Sequence, residues 1–219
     1  PPDEVFALCD KLGEIPVPPY VTNQPDQIEK YQTIYAKERG SVAAPTAGFH
    51  FTPELFEALE KKGVKKAFVT LHVGLGTFRP MKTETLEEHQ MHEEWYSIPE
   101  ETQNLIEETK KSGHRVIAVG TTTVRALESW AASRSPLTSS LFEGRNSGEP
   151  TSGFTSLFIT PGYSFRVIDG LMTNFHLPKS TLIVLVSSFA GRELIMRAYR
   201  HAIDNAYRFY SFGDAMLIY

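Results

Sequence analysis

A histidine and a carboxylate lie two residues apart in the segment HQMHEEWY, a spacing that suits proton transfer. On a strand, His92 and Glu94 would project from the same face, while His89 would point away. A histidine and a carboxylate on one face can share a proton or bind a metal ion. Because the further ligands that a metal ion needs are not apparent, we interpret His92 and Glu94 as a candidate acid–base pair.

Two further histidines lie in segments of small residues that packing alone does not require. SVAAPTAGFHFT holds almost no charge and sets Thr46 and His50 where a ligand could approach the backbone. LHVGLGTFRP places His72 at the end of a predicted strand, and strand ends are where ligands bind in α/β folds. A glycine turn beside a core histidine is the alternative for this segment. The ligand-binding candidates that follow His72 are Gly74, Gly76, Thr77 and Arg79.

The segment GTTTVRALE predicts a helix start that binds an anion. A short apolar strand, RVIAV, precedes it, so Thr121 and Thr122 would lie at a strand end beside the first amides of a helix, with Arg125 in the opening turn. Helix amino termini attract anions, and an arginine can hold a carboxylate or phosphate through two hydrogen bonds. The alternative is a capped helix whose arginine makes a surface ion pair.

Two polar groups towards the carboxyl end complete the candidates. TNFHLPKST gathers Asn174, His176 and Lys179 around a proline, a combination that few loops need. YRFYSFGDAML places Asp214 after a glycine among aromatic residues, and a turn aspartate is the alternative there. The sequence contains no nucleophile elbow, phosphate-binding loop, dinucleotide fingerprint or paired-cysteine zinc site. Common hydrolase, nucleotide triphosphatase and nicotinamide dehydrogenase functions therefore lose support.

Composition places the chain among ordinary globular proteins. Of its 219 residues, 41% are hydrophobic and 22% are charged, which suffices for one domain with a full core. The net charge of −4 supplies no general attraction to nucleic acid. No apolar run reaches the roughly 18 residues of a membrane span, and a single cysteine fits a reducing compartment. We expect a cytoplasmic protein, and the start at Pro1 suggests a missing amino-terminal portion.

Helix and strand signals alternate and predict a mixed α/β fold. The predicted helices show capping residues or an amphipathic repeat and span 3–12, 53–62, 99–112, 124–132 and 192–206. The predicted strands span 67–73, 115–119, 156–160 and 165–168, the last two as a hairpin, and the tail after residue 206 adds one or two more. The first helix would bury Cys9. Residues 133–153, rich in Ser, Gly and Pro, predict a long, mobile surface loop.

Taken in order, the segments quoted above, together with GEIPVPPY, YQTIYAKERG and LFITPGYSFRVIDGLM, resemble the S-adenosylmethionine:tRNA ribosyltransferase-isomerase family of queuosine biosynthesis. The resemblance runs from about Gly13 to Leu217. It implies transfer of the ribosyl part of S-adenosylmethionine to 7-aminomethyl-7-deazaguanine at the tRNA wobble position, giving epoxyqueuosine, adenine and methionine. It also implies a barrel-like main domain. Residues 1–219 would form a single incomplete α/β catalytic domain, without the family's amino-terminal region and inserted small β-barrel.

The chemistry of that family implies what the site must contain. A sulfonium acidifies the adjoining ribose C5′ protons, adenine must leave and the incoming amine must be unprotonated, so a base and an acid are needed. We assign proton transfer to His50, His72, His92 and Glu94. Thr121, Thr122 and Arg125 would hold the methionine carboxylate or a tRNA phosphate. The residues that would position ribose or the modified base are Asn174, His176, Lys179 and Asp214.

The resemblance also implies the partners. S-adenosylmethionine enters as a consumed co-substrate, the second substrate is a tRNA with a queuosine-type anticodon, and neither a metal nor a membrane is implied. We expect a monomer. An S-adenosylmethionine-dependent RNA methyltransferase is one alternative, although the glycine-rich loop and acidic residue that such enzymes carry after their first two strands are not found. A noncatalytic RNA-binding fragment is the other.

Overall fold

Helices and strands alternate along the chain, and the mixed α/β class predicted from the sequence is confirmed. The computed structural model describes residues 2–13, 17–18, 20–21, 31–74, 81, 83, 85–134 and 151–219. Its helices are α1 (Pro2–Leu12), α2 (Pro53–Lys61), α3 (Glu100–Lys111), α4 (Thr121–Ser133), α5 (Thr181–Ala190) and α6 (Arg192–Asp204), with a 3₁₀ helix at Thr46–His50. Its strands are β1 (Thr70–His72), β2 (Glu94–Ile98), β3 (Ile117–Val119), β4 (Thr151–Thr155), β5 (Gly170–Asn174) and β6 (Ala215–Ile218).

The helices begin and end at local signals in the sequence. Thr52 caps α2 through its hydroxyl, which accepts a hydrogen bond from the N–H of Leu55 at 3.2 Å, and Pro53 occupies the first helical position. Gly63 and Gly113 follow α2 and α3 with φ angles of 75° and 71°, a left-handed conformation that glycine adopts without strain. The predicted helices 53–62 and 99–112 are therefore confirmed.

The described strands form two three-stranded sheets. The first has the order β1-β2-β4, and both of its pairings are antiparallel. The second has the order β3-β5-β6, in which β3 runs parallel to β5 and β6 runs antiparallel to it. The carboxyl ends of β3 and β5 therefore meet at one edge. The start of β6 lies at the same edge, where Ala215 pairs with Asn174.

Helix α4 lies between the two sheets and contacts strands of both. Its apolar residues Val124 and Leu127 join the core with Ile98 of the first sheet and Leu171 of the second, and all four are at most 3% exposed. Burial of each such side chain contributes roughly 1.5–3 kcal/mol. Because α4 packs against both sheets, the position of its first turn is fixed relative to the edge where β3 and β5 end.

The structure corrects the prediction for the first helix. Helix α1 forms over the expected residues, but Cys9 is exposed, and so are Val5, Leu8 and Leu12 at 61%, 58% and 71%. The expectation that Cys9 is buried is wrong. Helical spacing shows which side of a helix is apolar, but it does not show whether another element covers that side.

The region after residue 150 also differs from the prediction. Residues 151–155 form β4, so the predicted loop 133–153 is too long at its end, while 135–150 lie outside the described residues. Residues 156–160 and 165–168 form no hairpin. The carboxylate of Glu128, fully buried on α4, accepts hydrogen bonds from the amides of residues 166–168, so this backbone is satisfied without a partner strand. Within the described ranges, no helix has the length and apolarity needed to cross a bilayer.

Candidate active site

An open cleft lies at the edge where the parallel strands β3 and β5 end. The first turn of α4, the end of β5 and the 3₁₀ helix line it, and its space amounts to about 720 Å³ with the open mouth included. In α/β sheets, small-molecule sites favour the carboxyl ends of strands. The predicted site residues that it brings together are Thr46, Thr121, Thr122, Asn174 and His176.

The first turn of α4 is arranged to donate hydrogen bonds. Gly120 precedes the helix with a φ of 88°, which favours glycine, and its own N–H is bonded to the carbonyl of Met172 at 2.8 Å. Within the described part of the chain no side chain caps this start, unlike those of α2 and α5. A helix amino terminus in this state attracts an anion, and Thr121 and Thr122 add two hydroxyls beside it.

Asn174, the last residue of β5, is held by the loop that leads into β6. Its Nδ2 donates to the carbonyl of Tyr210 at 2.8 Å and to that of Ser211 at 3.2 Å. The side chain is only 2% exposed. Among the described residues, no donor reaches its Oδ1. The amide therefore fixes the loop, and its Oδ1 is a buried acceptor on a residue that lines the cleft.

Three hydroxyl groups support the same loop. Ser211 Oγ lies 2.8 Å from the Tyr31 hydroxyl and 3.1 Å from that of Tyr20, and the ring of Tyr20 stacks 4.8 Å from that of Tyr210. Burial raises the pKa of Tyr31 to about 12, even though the bond to Ser211 acts in the opposite direction. These tyrosines are neutral at physiological pH, so they can bind a ligand or the loop but do not act as phenolate bases.

His176 lies in the cleft as a neutral side chain. Its Nε2 is 2.8 Å from the Thr173 hydroxyl, and its backbone N–H donates to the Tyr199 hydroxyl at 2.7 Å. Burial lowers the pKa of His176 to about 4, so the ring carries no charge at pH 7 and serves as a hydrogen-bonding group. Lys179, from the same motif, is exposed, and its carbonyl accepts from the N–H of Met81 at 3.1 Å.

Glu94 and Arg125 form a buried ion pair outside the cleft wall. They are 2% and 4% exposed, and Arg125 Nη1 donates to Glu94 Oε2. Arg125 Nε also donates to the carbonyl of Leu157 at 3.2 Å, while Glu94 Oε1 accepts from the N–H of Gly74 at 3.3 Å. Arg125 thus makes an ion pair, as the alternative to anion binding has it, but the pair is buried and not on the surface. It joins β2 and α4 to the start of the glycine-rich segment.

The other histidines do not line the cleft in the described structure. His92 is exposed and precedes β2, which begins at Glu94, so the two side chains do not share a strand face as expected. His72 ends β1 and packs against Trp95, with 4.9 Å between the ring centroids. A Cβ at Gly40 would come within 2.8 Å of the same imidazole. His72 is thus tightly enclosed where the backbone of another segment passes.

His50 and Asp214 lie near each other at the end of the 3₁₀ helix. The pKa of Asp214 is lowered chiefly by its hydrogen bonds with the side chain and backbone of Arg208, and the charge of His50 acts in the same direction. Asp214 is therefore an ionised turn residue, as the alternative reading of its motif has it. The remaining candidates, Gly76, Thr77 and Arg79, lie outside the described residues.

Sequence reasoning missed several groups at the cleft. Tyr20, Thr173 and Ser211 line it, although YRFYSFGDAML suggested only its aspartate as a candidate. The hydroxyls of Tyr20 and Ser211 are 191 residues apart in sequence, so no local spacing reveals their contact. Across the described part of the chain, no cluster of three or more His, Cys, Asp or Glu residues is placed to hold a metal ion.

Known proteins resemble this chain in both sequence and fold. The chain is 55% identical to the S-adenosylmethionine:tRNA ribosyltransferase-isomerase of Caldanaerobacter subterraneus over 99% of its own length and 60% of the relative's. It is 53% identical to the protein of that name from Cupriavidus metallidurans, over 99% and 59%. The chain thus spans about 60% of the length of these curated relatives.

A solved structure and a family model agree with these relatives. The crystal structure of the S-adenosylmethionine tRNA ribosyltransferase from Thermotoga maritima superposes with a TM-score of 0.62 at 47% identity, covering 79% of this chain and 51% of that one. The family model described as "Queuosine biosynthesis protein" matches residues 3–218. The motifs at the cleft thus belong to a match that runs over nearly the whole sequence, and the chain is a member of the queuosine biosynthesis protein family.

Proposed function

We propose that the protein transfers and isomerises the ribosyl moiety of S-adenosylmethionine onto 7-aminomethyl-7-deazaguanine at the wobble position of tRNA. The products are epoxyqueuosine-tRNA, adenine and methionine. The observation that supports this most directly is that GTTTVRALE and TNFHLPKST, some 50 residues apart in the sequence, meet at one strand-end cleft. The curated relatives, more than half identical over this chain, carry the name of the same activity.

The described cleft suits the electrostatics of this substrate. The amides at the start of α4 and the hydroxyls of Thr121 and Thr122 provide donors for the methionine carboxylate or a tRNA phosphate. Arg125 does not bind the substrate directly in this proposal, because its guanidinium donates to Glu94 and to the carbonyl of Leu157. Its role in this proposal is to hold α4 against β2, so that the first turn faces the cleft at a fixed distance.

Proton transfer is the part of the proposal with the most candidates. Of the predicted acids and bases, His50, His72 and His92 stay proposed, with the ribose C5′ proton and the incoming amine as the groups that they serve. Glu94 is buried and engaged by Arg125 outside the cleft, so its proposed role is to position β2 and α4. His50 ends the 3₁₀ helix whose residues Thr46 and Ala47 line the cleft, and His72 precedes Val73, which also lines it. His176 acts as a neutral partner that orients the substrate.

The wider setting is proposed on the same basis. In this proposal residues 1–219 form an α/β catalytic domain of the barrel-like family architecture. The protein acts in the cytoplasm as a monomer, on tRNAs with a queuosine-type anticodon, and it consumes S-adenosylmethionine without a metal. Full activity after exhaustive chelation, and a mass in solution equal to that of one chain, are the results expected.

Product analysis tests the activity. The protein is incubated with S-adenosylmethionine and a tRNA bearing 7-aminomethyl-7-deazaguanine, and mass spectrometry then follows free adenine and the modified nucleoside. We expect both products in equal amounts, and neither with a tRNA that carries guanine at the wobble position. Formation of S-adenosylhomocysteine would instead identify a methyltransferase. Binding of the tRNA with no product would identify a noncatalytic RNA-binding protein.

A further inference from the structure

The orientation of the Asn174 amide is determined by the loop that it holds. Both hydrogens of Nδ2 are directed at carbonyl oxygens, those of Tyr210 and Ser211. A flipped amide would set Oδ1 against the same two oxygens, and two acceptors repel each other. Oδ1 is therefore an acceptor of fixed direction. Such a group is costly to bury unless a donor reaches it, and the described protein supplies none.

The cleft around this acceptor favours an uncharged, flat donor. Its described lining includes no Asp, Glu, Lys or Arg side chain, and the imidazole of His176 is neutral at pH 7. An ammonium group at Oδ1 would therefore be desolvated without an opposing charge. Phe175, Leu182 and Val73 add apolar walls, which are typical of sites for heterocycles.

We propose that Asn174 Oδ1 accepts a hydrogen bond from the 6-amino group of the adenine of S-adenosylmethionine and thereby selects a 6-aminopurine over a 6-oxopurine. The inference rests on the proposed function, which supplies the ligand. An oxo group at the same position would place a second acceptor against Oδ1. Sites built to bond one polar group reject the analogue that lacks it far more strongly than apolar pockets reject a change of size.

Equilibrium binding to the unmodified protein tests the selection. The two probes are S-adenosylmethionine and its analogue with inosine in place of adenosine, and isothermal titration calorimetry without tRNA gives both dissociation constants. We expect the 6-oxo analogue to bind about 100-fold more weakly, which corresponds to the loss of one hydrogen bond and the repulsion between two acceptors. Equal dissociation constants, or no binding of either probe, would overturn the inference.

Two variants separate recognition by Oδ1 from its support of the loop. Asn174→Ala removes the acceptor together with the bonds to Tyr210 and Ser211, so the ratio of the two dissociation constants should fall from about 100 to about threefold or less. Ser211→Ala loosens the same loop by removing the bonds to the Tyr20 and Tyr31 hydroxyls but keeps the acceptor, so the ratio should stay near 100. A collapse of the ratio in both variants would show a purely structural role.

The deazaguanine of the tRNA also carries an exocyclic amine, which could be the donor to Oδ1 instead. A second binding experiment tests this alternative. The tRNA is prepared with a wobble base that lacks the 2-amino group. If removal of that amine weakens binding in an Asn174-dependent way while the S-adenosylmethionine ratio is near unity, Oδ1 reads the tRNA base and the inference fails.

The outcomes also separate this inference from the proposed function. Release of adenine with no discrimination between the two probes removes only the inference. A ratio near 100 without adenine release keeps an adenosine site and removes the proposed reaction.

Discussion

Buried polar side chains in this protein hold backbone that the sheets do not pair. Glu128 receives the amides of Arg166 and Val167 at 2.9 and 3.0 Å and that of Ile168 at 3.3 Å. It also accepts from the Tyr163 hydroxyl at 3.3 Å. Burial and the charge of this carboxylate raise the pKa of Tyr163 to about 12. Asn174 holds the loop before β6 in a similar way, by donating hydrogen bonds to two of its backbone carbonyls. One residue of α4 and one of β5 thus fix the conformation of two irregular segments.

The neutral imidazole of His176 predicts a specific loss of stability in acid. Its pKa is about 4 in the folded protein and 6.5 for an unperturbed histidine. Because the pKa is lower in the folded protein, the neutral imidazole contributes its full share of the free energy of unfolding above pH 6.5. That share is lost as the pH falls from 6.5 towards 4. Between pH 7.5 and 5 the free energy of unfolding should fall by about 2 kcal/mol through this residue.

Urea unfolding of His176→Gln at both pH values measures that contribution, since glutamine does not titrate in this range. The variant's loss of stability on acidification should be smaller than that of the unmodified protein by about 2 kcal/mol. His201→Gln is the matched control, because His201 is exposed on α6. The same pH dependence in the unmodified protein and in His176→Gln would contradict a depressed pKa.

At the scale of elements, the 3₁₀ helix that lines the cleft depends on a close approach at Gly48. A Cβ there would collide with the Tyr35 hydroxyl and would lie 2.7 Å from Thr33 Cγ2. We predict that Gly48→Ala lowers the free energy of unfolding by about 1–3 kcal/mol, as overpacking of a filled site does. It should also weaken S-adenosylmethionine binding, since Thr46 and Ala47 would move with the helix.

Removal of the colliding hydroxyl provides the control for Gly48→Ala. In a Tyr35→Phe background the same alanine should cost less, because the nearest atom is gone. Thr33 Cγ2 at 2.7 Å and the ring carbon Cζ at 3.0 Å would still be tight contacts, so part of the cost should remain. Thermal unfolding of the four proteins gives the two costs. Equal costs in both backgrounds would mean that the alanine acts through the backbone and not through Tyr35.

Elements whose signals are local could be predicted from the sequence, and those that depend on partners could not. Thr52, Gly63 and Gly113 mark helix ends through their own conformation and hydrogen bonds, so α2 and α3 lie within a residue or two of their predicted limits. In contrast, β5 has the sequence GLMTN, which shows no alternation because both of its faces are largely buried. It is a strand because β3 and β6 flank it.

At the scale of the whole molecule, the Glu94–Arg125 pair ties the first sheet to the helix that packs on the second. Removal of one partner leaves a buried charge, so Glu94→Gln or Arg125→Gln should each cost about 3–5 kcal/mol. The double variant should cost less than the sum of the two by about 1–3 kcal/mol. Urea unfolding of the four proteins measures this coupling.

An exposed pair in the same protein serves as the comparison. Glu57 and Lys61 on α2 lie 2.6 Å apart with 65% and 73% of their side chains exposed, and their coupling should be about 0.5 kcal/mol or less. If the buried pair showed no greater coupling than this surface pair, the two sheets would not depend on Glu94 and Arg125 for their arrangement.

The sequence predicts that Thr121 and Asn174 lie at strand ends, but it does not predict the full lining of the candidate cleft. Thr121 follows β3 after a single glycine and Asn174 ends β5, so the strand-end rule places both at one edge once β3 and β5 are neighbours. His92 and Glu94 were paired by spacing alone. The strand begins only at Glu94, which turns inwards to Arg125 while His92 stays exposed, and that difference arises from pairing with β1 and β4.

The carboxylate of Glu128 also bears on how the molecule opens. Separation of residues 166–168 from α4 would break three hydrogen bonds from backbone amides at once and leave a negative charge in an apolar interior. We therefore expect the segment not to fray independently, as most irregular surface chain does. It should unfold cooperatively with the centre of α4, so its amides should exchange with solvent as slowly as those of the helix that holds it.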